Sequence, residues 1–95
     1  MNKELIEFSV KFGLRIKQLR EKRGYTQSFL ASKLGEGKDK QVVNRYENQG
    51  ANPSAFQLQQ LSEALEFGVQ EFYDFSKLNL NEVKELVLKL KQRIV

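Results

Sequence analysis

Apolar residues recur along this chain at intervals of three and four, and almost nowhere in strict alternation. Phe12, Ile16 and Leu19 define a first stripe, and Gly24 is placed to end that helix in a left-handed conformation. Thr26 is a plausible N-cap for a short second helix carrying Leu30, Ala31 and Leu34, which Gly35 ends. Asp39 can cap a third helix, with Val43 and Tyr46 facing inward and Gly50 just beyond its end. Ser54 and Gln57 have capping-box spacing at the head of a fourth, which bears Leu58, Leu61 and Leu65. A very short fifth helix, from about Val69 to Phe75, offers Val69 and Phe72 to the core. The closing run NLNEVKELVLKLKQRIV aligns Val83, Val87, Leu90 and Ile94 on one stripe, with Leu80 and Leu86 at its margins. The pattern predicts an all-α fold of five compact helices with an additional C-terminal amphipathic helix. It divides the chain into an N-terminal extension (1–9), a helical domain (10–75) and a terminal helix (76–95).

Two short helices joined by a glycine-bearing turn make a helix-turn-helix, whose second element can enter the DNA major groove. The groove admits one α-helix, and side chains near that helix's N-terminus reach the base edges. The third helix suits the task. Val43 and Tyr46 pin it to the core, which leaves Lys40, Gln41, Asn44 and Arg45 projecting. Gln and Asn can pair bidentately with adenine, and Arg or Lys can donate to guanine. Thr26 and Gln27 open the second helix, where free amides and the helix dipole favour a phosphate. Lys38 in the turn and Asn48 after the third helix suit further phosphate contacts.

Charge and composition narrow the partner. The first 50 residues hold eleven Lys and Arg against six Asp and Glu, whereas the remainder holds five against six. The positive excess therefore lies in the half that contains the helix-turn-helix, as a polyanion-binding surface or as a merely solvated basic face. With no Cys and no His, disulfides, zinc sites built on those ligands and Cys- or His-based catalysis are excluded. No tight acidic cluster suggests a carboxylate metal site. No metal, no cofactor and no enzymatic activity are expected. No apolar run is long enough to span a bilayer, and Met1–Val10 lacks a signal-peptide core, so a cytoplasmic location is expected.

The run IKQLREKRGYTQSFLASKLG followed by VVNRYENQGANPS resembles the Cro/Xre-type helix-turn-helix of phage repressors and many bacterial regulators. The likeness covers roughly Val10 to Asp74. It rests on Ile16, Leu19, Arg20 and Gly24, the Thr26-Gln27, Leu30-Ala31 and Leu34-Gly35 pairs, Val43, Arg45-Tyr46-Glu47, Pro53-Ser54, Leu65 and Phe72. The resemblance implies a lambda-repressor-like domain. It places Lys40, Gln41 and Arg45 at base-reading positions, with Asn44 beside them, and Gln27 and Asn48 at phosphates. It also implies that Arg20 and Glu47 form a partly buried ion pair joining the first helix to the third. Two departures stand out. The turn before the third helix is about two residues longer than usual, with Glu36-Gly37-Lys38 filling it, which leaves the register of Lys38 to Lys40 open. Phe29 and Phe56 stand where the family usually has polar residues, either packed within the molecule or in a subunit interface.

An isolated amphipathic helix of the terminal length is marginal in water, so its stripe must bury against something. Val83, Val87, Leu90 and Ile94 are candidates for a homodimer contact, with packing back over Leu5, Ile6 and Phe8 as the alternative. Glu82 and Glu85 among its lysines argue against a membrane surface. The expectation is a sequence-specific regulator, a repressor acting as a homodimer on palindromic double-stranded DNA. The alternative is a protein-interaction module, or an antitoxin that holds a toxin through the terminal helix. A prophage repressor, an antitoxin and a restriction controller would share these features.

Overall fold

The computed structural model describes residues 2–94, with side chains through residue 92. Its elements are α1 (Lys3–Lys22), α2 (Gln27–Lys33), α3 (Lys40–Gln49), α4 (Ala55–Leu65), two 3₁₀ turns (Val69–Tyr73 and Phe75–Lys77) and α5 (Leu80–Ile94). No strand occurs among the described residues.

α1 is longer than its first stripe implied. Asn2 caps it, its side chain accepting from the Leu5 amide at 2.8 Å, and no proline or terminating glycine interrupts the helix before Lys22. Residues 3–9, expected as a separate extension, are therefore its first two turns. Gly24 (φ 73°) ends the excursion, and the Tyr25 amide donates back to the Arg20 carbonyl at 3.2 Å.

The extra length gives α1 two jobs. Phe12, Ile16 and Leu19 face the main core, which gathers Leu30, Ala31, Leu34, Val43, Leu58, Leu61, Leu65 and Phe72 from the following elements. Ile6, Val10 and Leu14 lie on a different face and meet Val83 and Val87 in a second apolar cluster, with Leu86 and Leu90 half-buried beside it. Of the stripe expected at a homodimer contact, Val83 and Val87 pack back onto α1 and Leu90 is half-buried. Val83 and Val87 retain 6% and 8% of their exposure within one chain, so they have almost no surface to offer a second copy. The side chain of Ile94 lies outside the described residues. Ile6 of the partner trio is fully within reach of sequence reasoning, but Val10 and Leu14 complete it only because α1 is continuous.

The segment after α4 departs from the expected single helix. Asp74 (φ −82°, ψ 87°) interrupts it, and its carboxylate accepts from the Ser76 amide at 3.2 Å and hydroxyl at 2.5 Å. Those hydrogen bonds also hold the Asp74 carboxyl below its ordinary pKa. Polar side chains of α1 fasten the two turns from the inside. Buried Arg15 donates to the Glu71 carbonyl at 2.8 Å, and Gln18 donates to the Lys77 carbonyl at 2.9 Å.

Candidate nucleic-acid interface

The position of α3 is set by its neighbours more than by its own apolar content. Only Val43 and Glu47 of its ten residues are fully buried. α1 approaches it backbone to backbone at Gly13. A Cβ added there would lie 1.9 Å from the Tyr46 carbonyl oxygen, so no larger residue fits without moving one of the helices. Beside this crossing the Ala51 amide donates to the Ser9 carbonyl at 2.8 Å, which ties the exit of α3 to α1.

The buried Glu47 is the centre of a polar joint. Arg20 of α1 grips it in a bidentate pair along one edge of the guanidinium, Nε to Oε2 at 2.7 Å and Nη2 to Oε1 at 3.0 Å. The remaining Arg20 amine donates to the Tyr25 carbonyl at 2.7 Å, at the start of the turn leading to α2. Gln27 of α2 adds a third donor to the carboxylate, Nε2 to Oε1 at 3.0 Å. Its own carbonyl oxygen accepts a long hydrogen bond from Asn44 Nδ2 at 3.4 Å. Glu47 retains 1% of its side-chain exposure and Arg20 12%, so three helices are joined through a nearly dry bidentate pair. Contact with the carboxylate holds the Arg20 pKa above its ordinary value. The charge of Glu47 is thereby cancelled a short distance from the surface that would face phosphate.

Each cap forms where the sequence placed it. The Thr26 hydroxyl accepts from the Phe29 amide at 3.0 Å, Asp39 accepts from the Gln41 amide at 3.0 Å, and Ser54 and Gln57 complete a reciprocal capping box. The enlarged turn before α3 is built on two glycines in the left-handed half of the map, Gly35 (φ 110°) and Gly37 (φ 79°). It closes through the Lys38 amide, which donates to the Gly35 carbonyl at 3.3 Å. α3 therefore begins at Lys40, and the register left open by the longer turn is resolved.

With this orientation Lys40, Gln41, Arg45 and Asn48 are exposed, while Asn44 is half-buried along the α2 side. Gln41, Arg45 and Asn48 are turned farthest from the buried Val43 and Glu47, with Lys40 and Asn44 along the edge nearer to them. Thr26 is exposed at the head of α2, and Lys38 is half-buried in the turn. Gln27, expected at a phosphate, turns its side chain towards α3. Its amide is half-buried and engaged at both ends with Glu47 and Asn44, which makes it part of the joint.

Three contributors escaped the sequence reading. Gly13 carried a signal, since an isolated glycine inside a helical pattern implies close approach. Arg15 carried none, being one basic residue among many in α1. Arg23 donates to the Leu65 and Glu66 carbonyls at 2.7 and 2.5 Å and lies 4.0 Å from the Phe67 ring centroid. It caps α4 from the end of α1, while Glu66 adopts the left-handed terminal conformation (φ 57°). The two unusual phenylalanines also separate. Phe29 stacks edge-on against Tyr25 at 4.6 Å, whereas Phe56 stands 71% exposed on the first turn of α4.

Comparison with known proteins is consistent with this geometry. The family profile described as Helix-turn-helix matches residues 16–72. Among solved structures, the chain is similar to the restriction-modification controller protein C.AhdI from Aeromonas hydrophila. The two are 33% identical with a TM-score of 0.59, over 66% of this chain and 92% of that one. No curated protein matches the sequence. The matched family span ends before α5 begins and starts after the first three turns of α1.

Proposed function

The chain belongs to the Cro/C1-type helix-turn-helix family of DNA-binding transcription regulators, and we propose that it represses transcription as a homodimer on a palindromic operator. The observation that carries this reading is the outward polar face of α3, held at a fixed angle by the Arg20–Glu47 joint. Lys40, Gln41, Asn44 and Arg45 read base edges. Thr26, Lys38 and Asn48 hold the phosphate backbone, and Gln27 sets the α2–α3 geometry. Similarity to a restriction-modification controller protein supports a regulatory role. Among the described residues, no helix is long and apolar enough to cross a membrane.

One recognition helix reads too few base pairs for useful affinity, so two copies are required. With Val83 and Val87 consumed inside the chain, the second copy docks elsewhere. Phe56 is the most exposed large apolar side chain outside α5's own neighbourhood, and we assign it to that contact.

Selection of bound sites from a random DNA pool tests the whole reading. The expected product is a palindrome whose half-sites are centred about 10 base pairs apart, one helical turn. A pool that stays random after selection would remove the regulator assignment. Gln41→Ala and Arg45→Ala should each lose roughly 1–3 kcal/mol of base discrimination without loss of fold. Phe56→Glu should give a monomer by light scattering and weaken operator binding. An unchanged dimer mass would move the interface away from α4.

A further inference from the structure

Outside the family's matched span, the first turns of α1 and the outer flank of α5 enclose a groove of about 470 Å³. Its floor is the edge of the second apolar cluster, Val83 and Val87. On the α5 side Leu80 and Leu88 stand 67% and 59% exposed, two large apolar side chains eight residues apart with Lys84 between them. Lys3 and Lys11 line the α1 side and Lys91 the far end, so four lysines face the groove against the single acid Glu7. Among the described residues, none of the four forms an ion pair; the pairs present are Arg15–Glu71, Lys17–Glu82 and Arg20–Glu47.

We propose that this groove binds an amphipathic helix of a partner protein, one with an apolar stripe flanked by acidic residues. The floor and the two leucines take the stripe, spaced as a helix presents it at i, i+3, i+4 and i+7. The lysine rim supplies the complementary charge and fixes orientation. A nucleic-acid backbone would satisfy the lysines but gain nothing from the leucines. A bilayer is flat and would leave the valine floor empty.

The location matters for function. On α5, Glu82, Glu85, Leu86 and Lys89 border the cleft that also contains Glu47 and Asn48 of α3, whereas Leu80, Lys84, Leu88 and Lys91 lie on the opposite flank. An occupied groove therefore leaves the polar face of α3 free. The protein can hold DNA and this partner together, which allows the partner to be delivered to a promoter.

The test uses the full chain and a short synthetic helical peptide, fluorescein-labelled, with leucines on one stripe and glutamates beside it. Binding is read by fluorescence anisotropy and mapped by amide chemical shifts. The expected result is saturable binding, with shifts confined to residues 3–11 and 80–91 and none in α3. A peptide of the same stripe with lysines replacing the glutamates should bind roughly tenfold more weakly, and Lys3→Glu with Lys84→Glu should reverse that preference. Leu88→Gln should weaken the acidic peptide while circular dichroism and operator binding stay unchanged. Equal affinity for both peptides, or shifts centred on α3 or α4, would overturn the proposal. So would shifts in the groove on concentrating the protein alone, which identify a second copy, or preferential displacement of the peptide by anionic vesicles.

Discussion

α3 and α5 are both short amphipathic helices with a charged outer face, yet they are attached by opposite means. α5 is held by a seam of aliphatic side chains, Val83 and Val87 against Ile6, Val10 and Leu14. α3 is held by one valine, a glycine crossing and a buried carboxylate gripped by two other helices. Apolar burial is non-directional and tolerates a few degrees of sliding. A bidentate guanidinium–carboxylate pair fixes both distance and angle. The helix that must present side chains to base edges has the directional joint; the helix that closes a surface has the greasy one.

Removing one side of the joint should separate the two attachments most strongly. Arg20→Ala leaves Glu47 charged and nearly dry, and should destabilise the fold by about 3–5 kcal/mol in chemical denaturation, because the uncompensated charge remains buried. A loss under about 1 kcal/mol would mean that the pair is effectively solvated. Next comes Gly13→Ala, where the added methyl meets the Tyr46 carbonyl at the crossing. It should cost about 1–3 kcal/mol and tilt α3, so operator affinity should fall more than thermal stability alone accounts for. Equal operator binding at matched folded fraction would show that the crossing does not set the angle.

The seam should respond more mildly and without effect on specificity. Val87→Ala removes buried aliphatic carbon and should cost about 2 kcal/mol, with base preference unchanged in the selected sites. A shift in the preferred site would mean that α5 steers α3 after all. The smallest effect concerns Tyr46, whose phenol is held above its ordinary pKa by burial, with Arg45 acting in the opposite sense. A raised folded pKa leaves this contribution to stability intact below pH of about 10, where the unfolded phenol titrates, and removes it as pH rises through the folded value. Ultraviolet titration of the phenolate band should therefore show one late-ionising tyrosine that is absent in Tyr46→Phe.

Much of this was legible in the chain because the rules involved are local. Thr26, Asp39 and Ser54 cap the helices that follow them since each carries an oxygen that reaches an amide two or three residues on. Val43 and Leu30 face inward because 3.6-residue periodicity leaves no other choice. The side chain of Gln27 at the head of α2 can turn out or in, and only the proximity of Glu47 engages its amide inside the molecule. The full length of the first helix is not legible because two apolar stripes overlap at its start, Ile6, Val10 and Leu14 on one face and Phe8, Phe12 and Ile16 on another, and together they blur the helical period.

The sequence by itself determined the helices, their caps and the identity of the side chains left on the outer face of α3, since all of these depend on spacing within a few residues. Tertiary structure alone decided where the terminal stripe is buried, which face of α5 remains open and that Gln27 joins the Arg20–Glu47 pair. Those outcomes depend on contacts between residues separated by twenty positions or more, and hydrophobic attraction carries no information about which partner it will find.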